Sequence, residues 1–157
     1  MLESAYDVKQ NPAKKRYAFT MGVYDCFHFG HLRLIERASR LGDILIVGVV
    51  DDEAVKAQKG PQRPIIPLEQ RIEIVRALKF VDDVVVMPSF DPFSKFDTFW
   101  KSGLHYKGSF IKKFDVFVKG ADQSHIPTDK IESEYGTIVT TLSRTPGIST
   151  SELIKKL

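Results

Sequence analysis

One uninterrupted apolar run, ILIVGVV at residues 44–50, constrains the fold of this chain most strongly. The run is much shorter than the roughly 20 residues of a membrane-spanning helix, and its β-branched residues favour a strand. A strand without polar alternation is buried on both faces, as in a parallel sheet that is covered by helices on both sides. The run therefore predicts a buried strand of an α/β protein.

Strand and helix patterns alternate along the rest of the chain. Strands are predicted at 17–23, 84–86, 116–118 and 137–142, and helices at 29–41, 52–57, 67–78, 127–135 and from residue 149 onward. Because such alternation is typical of a parallel sheet, we expect a Rossmann-like, doubly wound α/β fold with a five-stranded parallel sheet. We expect one domain at 16–157 after a polar lead-in at 1–15. Ligands of this fold bind beyond the carboxyl ends of the strands.

Length and composition indicate how many domains to expect and which kinds of partner the chain can bind. The 157 residues suit a single domain. The 23 basic and 20 acidic residues give a net charge of +3, which is compatible with small anionic substrates but too weak to indicate nucleic acid. The one cysteine, Cys26, excludes an internal disulfide. Residues 1–16 lack the apolar core of a secretory signal, so we expect a cytoplasmic protein.

Two histidines follow the first predicted strand. In the segment GVYDCFHFGH at residues 22–31, His28 and His31 are three residues apart at a helix start, and we expect them to share a helix face. Free backbone N–H groups and the helix dipole make such a terminus an anion site. Gly30 between them would let a phosphate approach the backbone closely. A single histidine would more simply be a core residue, whereas this pair favours a functional site.

A second candidate anion site is the segment RTPGIST at residues 144–150. Arg144 offers a planar guanidinium group to phosphate oxygens, and the alternative is a surface ion pair. Ser149 and Thr150 bring hydroxyl and backbone N–H groups to the start of the last helix. Ser149 and Glu152 also form a capping-box pattern, and helix capping uses the same geometry as phosphate binding.

The two segments together resemble the signatures of the cytidylyltransferase family, within the nucleotidyltransferase superfamily. The first reads G-x-Y-D-x-x-H-x-G-H at 22–31 and the second R-T-x-G-I-S-T at 144–150, and the resemblance extends over about residues 16–157. It implies that an acceptor phosphate attacks the α-phosphorus of a nucleoside triphosphate and that pyrophosphate leaves. Because the acceptor is already an anion, such a site works by positioning and charge stabilisation rather than by a general base.

The resemblance also implies roles for individual residues. The catalytic residues would be His28, His31, Lys59 and Arg144, with Lys59 neutralising both the α-phosphate and the acceptor phosphate. The residues that would bind the nucleotide are Gly22, Val23, Tyr24, Gly30, Arg71, Gly120, Asp122, Thr145, Gly147, Ile148, Ser149 and Thr150. Mg²⁺ would be carried by the triphosphate, and no cluster of acidic residues indicates a dedicated metal site.

Several of these residues have structural alternatives. Lys59 would otherwise be an exposed loop lysine, and Arg71 would form an ion pair on a helix surface. Asp122, which would accept a hydrogen bond from the amino group of cytosine, has a turn as its alternative. The aromatic residues within 91–102 have helical spacing and favour core packing, although their position also suits acceptor recognition, with Lys95 as a candidate phosphate contact.

Different segments of the chain resemble two subfamilies, which use different nucleotides and different acceptors. Residues 144–150 and 115–118 resemble glycerol-3-phosphate cytidylyltransferases, which implies CTP and a small phosphate monoester. Residues 59–71 resemble adenylyltransferases that act on heptose phosphates, and this implies the alternative of adenylyl or guanylyl transfer to a sugar phosphate. CTP is favoured at this point.

Two other classes of protein stay open. A catalytically silent nucleotide-binding module would be expected to lose one of the histidines or Lys59. A fragment of a class I aminoacyl-tRNA synthetase would need a tRNA-binding domain. The family resemblance implies a homodimer, paired near the first signature and residues 79–84. The weak net charge and the short apolar runs lead us to expect neither a nucleic acid partner nor a membrane span.

Overall fold

The computed structural model describes residues 14–90 and 103–157. The strands of these two ranges are β1 (Tyr17–Gly22), β2 (Ile44–Val50), β3 (Asp83–Met87), β4 (Leu104–Tyr106), β5 (Ser109–Ile111), β6 (Val116–Gly120) and β7 (Ile138–Leu142). The helices are α1 (Phe29–Ser39), α2 (Asp52–Lys59), α3 (Leu68–Arg76), α4 (Thr128–Tyr135) and α5 (Thr150–Lys156). Most of the lead-in, Lys95 and the aromatic segment that contains it lie outside the described residues.

Five strands form one sheet in the order β3-β2-β1-β6-β7. Every neighbouring pair in this sheet is parallel, which confirms the predicted Rossmann-like, doubly wound arrangement. The chain progresses outward in one direction from β1 to β3 and in the other direction from β6 to β7. The switch point therefore lies between β1 and β6, and the loops that follow these two strands border the same crevice.

Strand β2 is buried at all seven positions, as its uninterrupted apolar run predicts. One face of the sheet packs a cluster that includes Phe19 and Ile46, and the other packs a cluster that includes Leu45 and Val47. A Cβ atom on Gly48 would lie 2.7 Å from Cγ of Met87, so glycine interrupts the β-branched run where a side chain has no room.

Helix ends depart from the predicted bounds by one to two residues in places, with one consequence for the site. Asp51 caps α2 by accepting a 2.8 Å hydrogen bond from the amide of Ala54, and the helix continues to Lys59 before Gly60 ends it with φ of 103°. Lys59 thus closes a helix instead of lying in a loop. Among the described residues, no helix has the length and apolar character that crossing a membrane requires.

A short antiparallel hairpin, β4–β5, was not predicted from the sequence. Its strands have three residues each, too few for a period-2 pattern to stand out. Lys107 and Gly108 form the turn with φ of 45° and 78°, and two consecutive positive φ angles suit a tight hairpin. Tyr106 and Ile111 anchor the hairpin in the core cluster that contains Phe19.

Candidate active site

A cleft of about 610 Å³ lies at the carboxyl ends of β1 and β6, at the switch point of the sheet. This volume is within the range of about 300–1,000 Å³ that is usual for small-molecule sites. The cleft brings together residues from both sequence signatures and from the segments between them. The predicted site residues that line it are Gly22, Val23, Tyr24, His28, Gly30, His31, Lys59, Gly120, Asp122, Arg144, Thr145, Ile148, Ser149 and Thr150.

Arg71 was predicted to contact the nucleotide, but the structure buries it fully and away from the lining of the cleft. Its Nε donates to the carbonyl oxygen of Ile66 at 2.9 Å, and its Nη1 donates to those of Val23 and Val50 at 2.7 and 2.8 Å. Its Nη2 donates to Oδ1 of Asp52 at 2.6 Å. Arg71 therefore joins the ends of β1 and β2 to α2 from within, and the ion pair that it forms, with Asp52, has its arginine inside the protein rather than on the helix surface.

Gly147 is another predicted residue that is not among those that line the cleft. Gly147 has φ of 76° and no neighbour where a Cβ atom would stand, so backbone conformation explains why glycine occupies the turn before α5. Lys95 falls in the segment outside the described residues, so its contact with an acceptor phosphate stays a prediction.

The two histidines pack against each other, although only His31 belongs to α1. His28 is the N-cap of that helix, which corrects the expectation of a shared helix face. The imidazole rings stack with centroids 3.8 Å apart and planes 19° from parallel. Nδ1 of His28 accepts a 3.0 Å bond from the amide of Gly30, and Nδ1 of His31 accepts a 3.3 Å bond from the amide of His28. Each neutral ring therefore carries its proton on Nε2, where it is a donor.

The structure gives a reason for glycine at position 30 that is independent of the predicted approach of a phosphate. A Cβ atom at this position would lie 2.9 Å from Cε1 of His28 and 3.3 Å from Cγ2 of Ile148. A side chain would therefore push the His28 ring out of its stacked position. The close approach of a phosphate to this backbone stays a prediction.

Both histidines are held in the neutral form. Burial lowers the pKa of His31 to about 3, with the charges of His28 and Lys59 adding to the effect and Asp25 opposing it. Burial also lowers the pKa of His28, and the guanidinium of Arg144 contributes. Near pH 7 the pair consequently offers neutral N–H donors to an anion rather than two positive charges.

Aromatic residues account for the burial of His31. The ring of Tyr24 meets His31 edge-on at 5.4 Å, and the ring of Phe27 lies at the same distance. A Cβ atom on Gly22 would lie 3.0 Å from Cζ of Tyr24. Gly22 and Tyr24 thus act in the site through packing, because the glycine admits the tyrosine ring that encloses His31.

Lys59 keeps an exposed side chain that lines the cleft. Partial desolvation lowers the pKa of Lys59, and the nearby charge of Arg63 lowers it further, whereas Asp122 and Asp25 act in the opposite direction. Its position at the end of α2 also places a cation at the negative end of the helix dipole. Lys59 is therefore a cation of the cleft and not an isolated loop residue.

Asp25 organises one wall of the cleft, a role that sequence reasoning did not assign to it. Its carboxylate is buried and accepts hydrogen bonds from the amides of Ile65 and Ile66, both at 2.9 Å, and from Nε of Arg63 at 3.1 Å. Burial alone would raise the pKa of Asp25, but these hydrogen bonds and the Arg63 charge outweigh it and lower the pKa. Asp25 therefore fixes the loop that follows α2 against the loop that follows β1.

Gln123 is a second residue that the sequence did not single out. Its Oε1 accepts a 2.9 Å hydrogen bond from the amide of Gly120, and its Nε2 donates a 3.0 Å bond to the carbonyl oxygen of Met21. The side chain thereby joins the ends of β6 and β1 at the floor of the cleft. Beside it, the carboxylate of Asp122 lies over Gly120, where a Cβ atom would stand 2.6 Å from Asp122 Oδ1 and would displace that exposed side chain.

The donor-lined cleft lies at the switch point of the doubly wound sheet, which is where proteins of this fold bind their ligands. Residues 19–156 match the family model described as cytidylyltransferase-like, and the chain belongs to that family.

Curated relatives include two proteins of the same name. The bifunctional protein HldE of Syntrophotalea carbinolica is 33% identical over 146 residues, which cover 91% of this chain and 27% of the relative. The bifunctional protein HldE of Campylobacter jejuni strain RM1221 is 38% identical over 152 residues, covering 96% of this chain and 29% of the relative. This chain therefore spans less than a third of the length of these relatives.

Solved structures share the fold. The lipopolysaccharide core biosynthesis protein of Thermoplasma volcanium superposes with a TM-score of 0.61 at 22% identity, covering 84% of this chain and 98% of that one. Pantoate-beta-alanine ligase of Francisella tularensis superposes with a TM-score of 0.57 at 19% identity, covering 99% of this chain and 71% of that one. At these identities the similarity concerns the fold alone.

Proposed function

We propose that this chain is an adenylyltransferase that joins ATP to a heptose phosphate or a similar sugar phosphate and releases pyrophosphate. The similarity to HldE proteins supports this alternative over the CTP reaction that the RTPGIST segment favoured. The resemblance of residues 59–71 to heptose-phosphate adenylyltransferases points the same way.

The observation that carries the proposal is the stacked pair of neutral imidazoles beside Lys59 in the cleft. Nε2–H of His28 and of His31 would donate to oxygens of the α-phosphate and to the negative charge that develops there. Donors that are fixed before the reaction stabilise such charge without reorganising, which is the main contribution that this kind of site can make.

The reaction that we propose is an in-line displacement. An oxygen of the acceptor phosphate forms a bond to the α-phosphorus, while the bond from that phosphorus to the oxygen bridging the α- and β-phosphates breaks. The electron pair of the broken bond leaves with pyrophosphate, so no proton has to be removed from the nucleophile. Lys59 would hold the two anions together, and Arg144 would bind the β- and γ-phosphates.

Ser149, through its hydroxyl, and Thr150, through its backbone N–H, would add donors to the same end of the triphosphate. Both line the cleft, and Ser149 Oγ also caps α5 by accepting a 3.1 Å bond from the amide of Glu152. The hydroxyl proton of Ser149 is therefore available to a phosphate oxygen even while its oxygen caps the helix.

Mg²⁺ and a second subunit complete the proposal. In the part of the chain that the structure describes, no three His, Cys, Asp or Glu side chains lie together as a metal cluster. We accordingly place Mg²⁺ on the triphosphate, a mode of binding in which this ion keeps several waters.

The homodimer is proposed from the family resemblance, and sedimentation at working concentration tests it.

The second candidate is the transfer of a cytidylyl group from CTP to glycerol 3-phosphate. The exposed carboxylate of Asp122 on the wall of the cleft favours it, because a carboxylate can accept a hydrogen bond from the amino group of cytosine. UTP lacks that amino group and otherwise matches CTP in size. A preference for CTP over UTP that is lost in Asp122→Ala would support this candidate.

The experiment that separates the two candidates measures pyrophosphate release from ATP, CTP, GTP and UTP. Each nucleotide is tested with a heptose phosphate, hexose phosphates and glycerol 3-phosphate. We expect the highest kcat/KM with ATP and a heptose phosphate, and His31→Ala should abolish most of it while His105→Ala, on the β4 strand, should not. A clear preference for CTP with glycerol 3-phosphate would overturn the proposal in favour of the second candidate.

A further inference from the structure

Arg63 is a charged residue of the cleft to which the proposed reaction assigns no task. Its side chain lines the cleft and is 16% exposed. The buried carboxylate of Asp25 accepts its Nε–H at 3.1 Å, and the backbone amide of Arg63 donates to the carbonyl oxygen of Gly60. The guanidinium is therefore fixed at its inner edge by a partner that is itself immobile.

The outer edge of this guanidinium is free to bind a ligand. Within residues 14–90 and 103–157, no hydrogen bond or ion pair involves Nη1 or Nη2 of Arg63. Four N–H donors of a planar group thus stand at a cleft wall, in a geometry that suits two oxygens of one phosphate. Asp25 does not prevent the guanidinium from binding an anion, because its carboxylate also accepts hydrogen bonds from two backbone amides.

The donors of the cleft form a row in which Arg63 belongs to one end. The sheet order is β3-β2-β1-β6-β7, so the histidines that follow β1 lie between two flanks of the cleft. Lys59 and Arg63, which follow β2, belong to one flank, and Arg144, which follows β7, belongs to the other. The row therefore runs from Arg144 through the two stacked histidines to Lys59 and Arg63.

In an in-line transfer, the acceptor, the α-phosphate and pyrophosphate would lie along this row in that order. The attacking oxygen and the leaving oxygen stand on opposite sides of the α-phosphorus, so the acceptor and pyrophosphate occupy opposite ends. With the α-phosphate at the histidines and pyrophosphate at Arg144, the end formed by Lys59 and Arg63 faces the acceptor.

We propose that Arg63 binds the phosphate of the acceptor substrate in two-point contact, with Lys59 on the side of the reacting oxygen. The inference rests on the proposed function for the direction of transfer, but not on the identity of the base or of the acceptor's carbon skeleton. The acceptor is accordingly a phosphate monoester, because two of its phosphate oxygens can bind the guanidinium while another oxygen attacks the α-phosphorus. Asp25 is a positioning residue for this contact.

Steady-state kinetics with each substrate varied in turn test the assignment, using whichever nucleotide and acceptor turn over best. Arg63→Ala should raise the KM of the acceptor by about 10-fold or more, the loss expected for a charged hydrogen-bonding group. The KM of the nucleotide should change by less than about 2-fold on the same scale. Arg63→Lys should recover part of the loss, because it keeps the charge but not the planar fork.

The matched control is Arg33→Ala, which removes an arginine that pairs with Glu36 on the exposed side of α1. It should leave both KM values unchanged. If Arg63→Ala raises the two KM values equally, or raises neither, Arg63 serves only to hold Asp25 and the inference is overturned. Equal losses in Arg63→Ala and Arg63→Lys would also contradict a contact based on charge.

An equilibrium arm keeps the test independent of the proposed function. The site is saturated with a nucleotide that has a methylene bridge between its α- and β-phosphates, and inorganic phosphate is titrated by calorimetry. Arg63→Ala should weaken phosphate binding by about 10-fold, whichever base the nucleotide carries. Unchanged phosphate affinity would overturn the role of Arg63 alone, whereas failure of ATP in the substrate screen would overturn the proposed function alone.

Discussion

Thr150 Oγ1 donates a 2.9 Å hydrogen bond to the carbonyl oxygen of Asp25, 125 residues earlier in the chain. This bond joins the start of α5 to the loop that follows β1, and so connects the two sequence signatures. The side chain of the same Asp25 fixes the loop that contains Arg63. Asp25 therefore joins three segments of the chain: its own loop after β1, the loop that contains Arg63 and the start of α5.

Thr150→Val tests this connection, because valine keeps the shape of threonine and removes its hydroxyl. We expect the free energy of unfolding to fall by about 1–3 kcal/mol, since the Asp25 carbonyl loses its partner. The kcat should also fall, because the second signature loses its tie to the first. Urea denaturation and turnover measure the two effects, and Thr141→Val, at an exposed position of β7, is the control. A Thr150→Val protein as stable and active as wild type would contradict the role of the bond.

Stability should depend on pH through His31. Its pKa is about 3 in the folded state and 6.5 when unperturbed, so between these values the unfolded chain binds more protons. The free energy of unfolding therefore decreases as pH falls from about 6.5, by at most about 1.4 kcal/mol per pH unit from this residue. Urea denaturation at pH 6.5, 5.5 and 4.5 should give a smaller decrease for His31→Gln than for wild type. Equal slopes would show that His31 titrates alike in both states.

Arg71→Ala should reduce stability more than a surface substitution does. It removes four hydrogen bonds of a fully buried guanidinium and leaves Asp52 and three carbonyl oxygens without that partner. Loss of the donor to a buried carbonyl oxygen costs about 1–3 kcal/mol, and Asp52 adds less because its side chain is 34% exposed. Arg76→Ala, on an exposed position of the same helix, should cost about 0.5 kcal/mol or less. A mild stability loss with a selective rise in the KM of the nucleotide would instead restore the predicted nucleotide contact.

Lys59→Ala should lower kcat/KM by about 10-fold or more, the expected result of losing a charge-assisted contact. Lys56→Ala is the matched control, because Lys56 lies in the same helix and forms an exposed ion pair with Glu53. The control should keep nearly full activity. If both variants lost activity alike, general charge of α2 rather than Lys59 would explain the effect.

The fold could be predicted because its strongest signals are local. The apolar run of β2 and the alternation of strands with helices identify a parallel sheet without knowledge of any long-range contact. The β4–β5 hairpin carries no such signal, since six strand residues cannot display a period. Its position is fixed by burial of Tyr106 and Ile111, which depends on the finished core.

Some residues of the site could likewise be predicted from local sequence, whereas others could not. That His28 and His31 lie together in the cleft could be predicted, because their spacing and their position after a strand are properties of the sequence. Arg71 could not be assigned correctly, because an arginine in a helix looks the same in the sequence whether it is exposed or bonded to three carbonyl oxygens. Asp25 and Arg63 meet only because the loop after α2 folds back onto β1, across 38 residues of chain.

The central claim is that the chain transfers a nucleotidyl group at the α-phosphorus with the help of the histidine pair. Phosphorus NMR of a reaction with ATP and a heptose phosphate tests it most directly, because it distinguishes every phosphorus-containing product. We expect equal growth of the signals of pyrophosphate and of a sugar-linked diphosphate, slowed by about 10²-fold or more in His28→Ala and in His31→Ala. Orthophosphate with an unchanged acceptor, or equal rates in wild type and both variants, would contradict it.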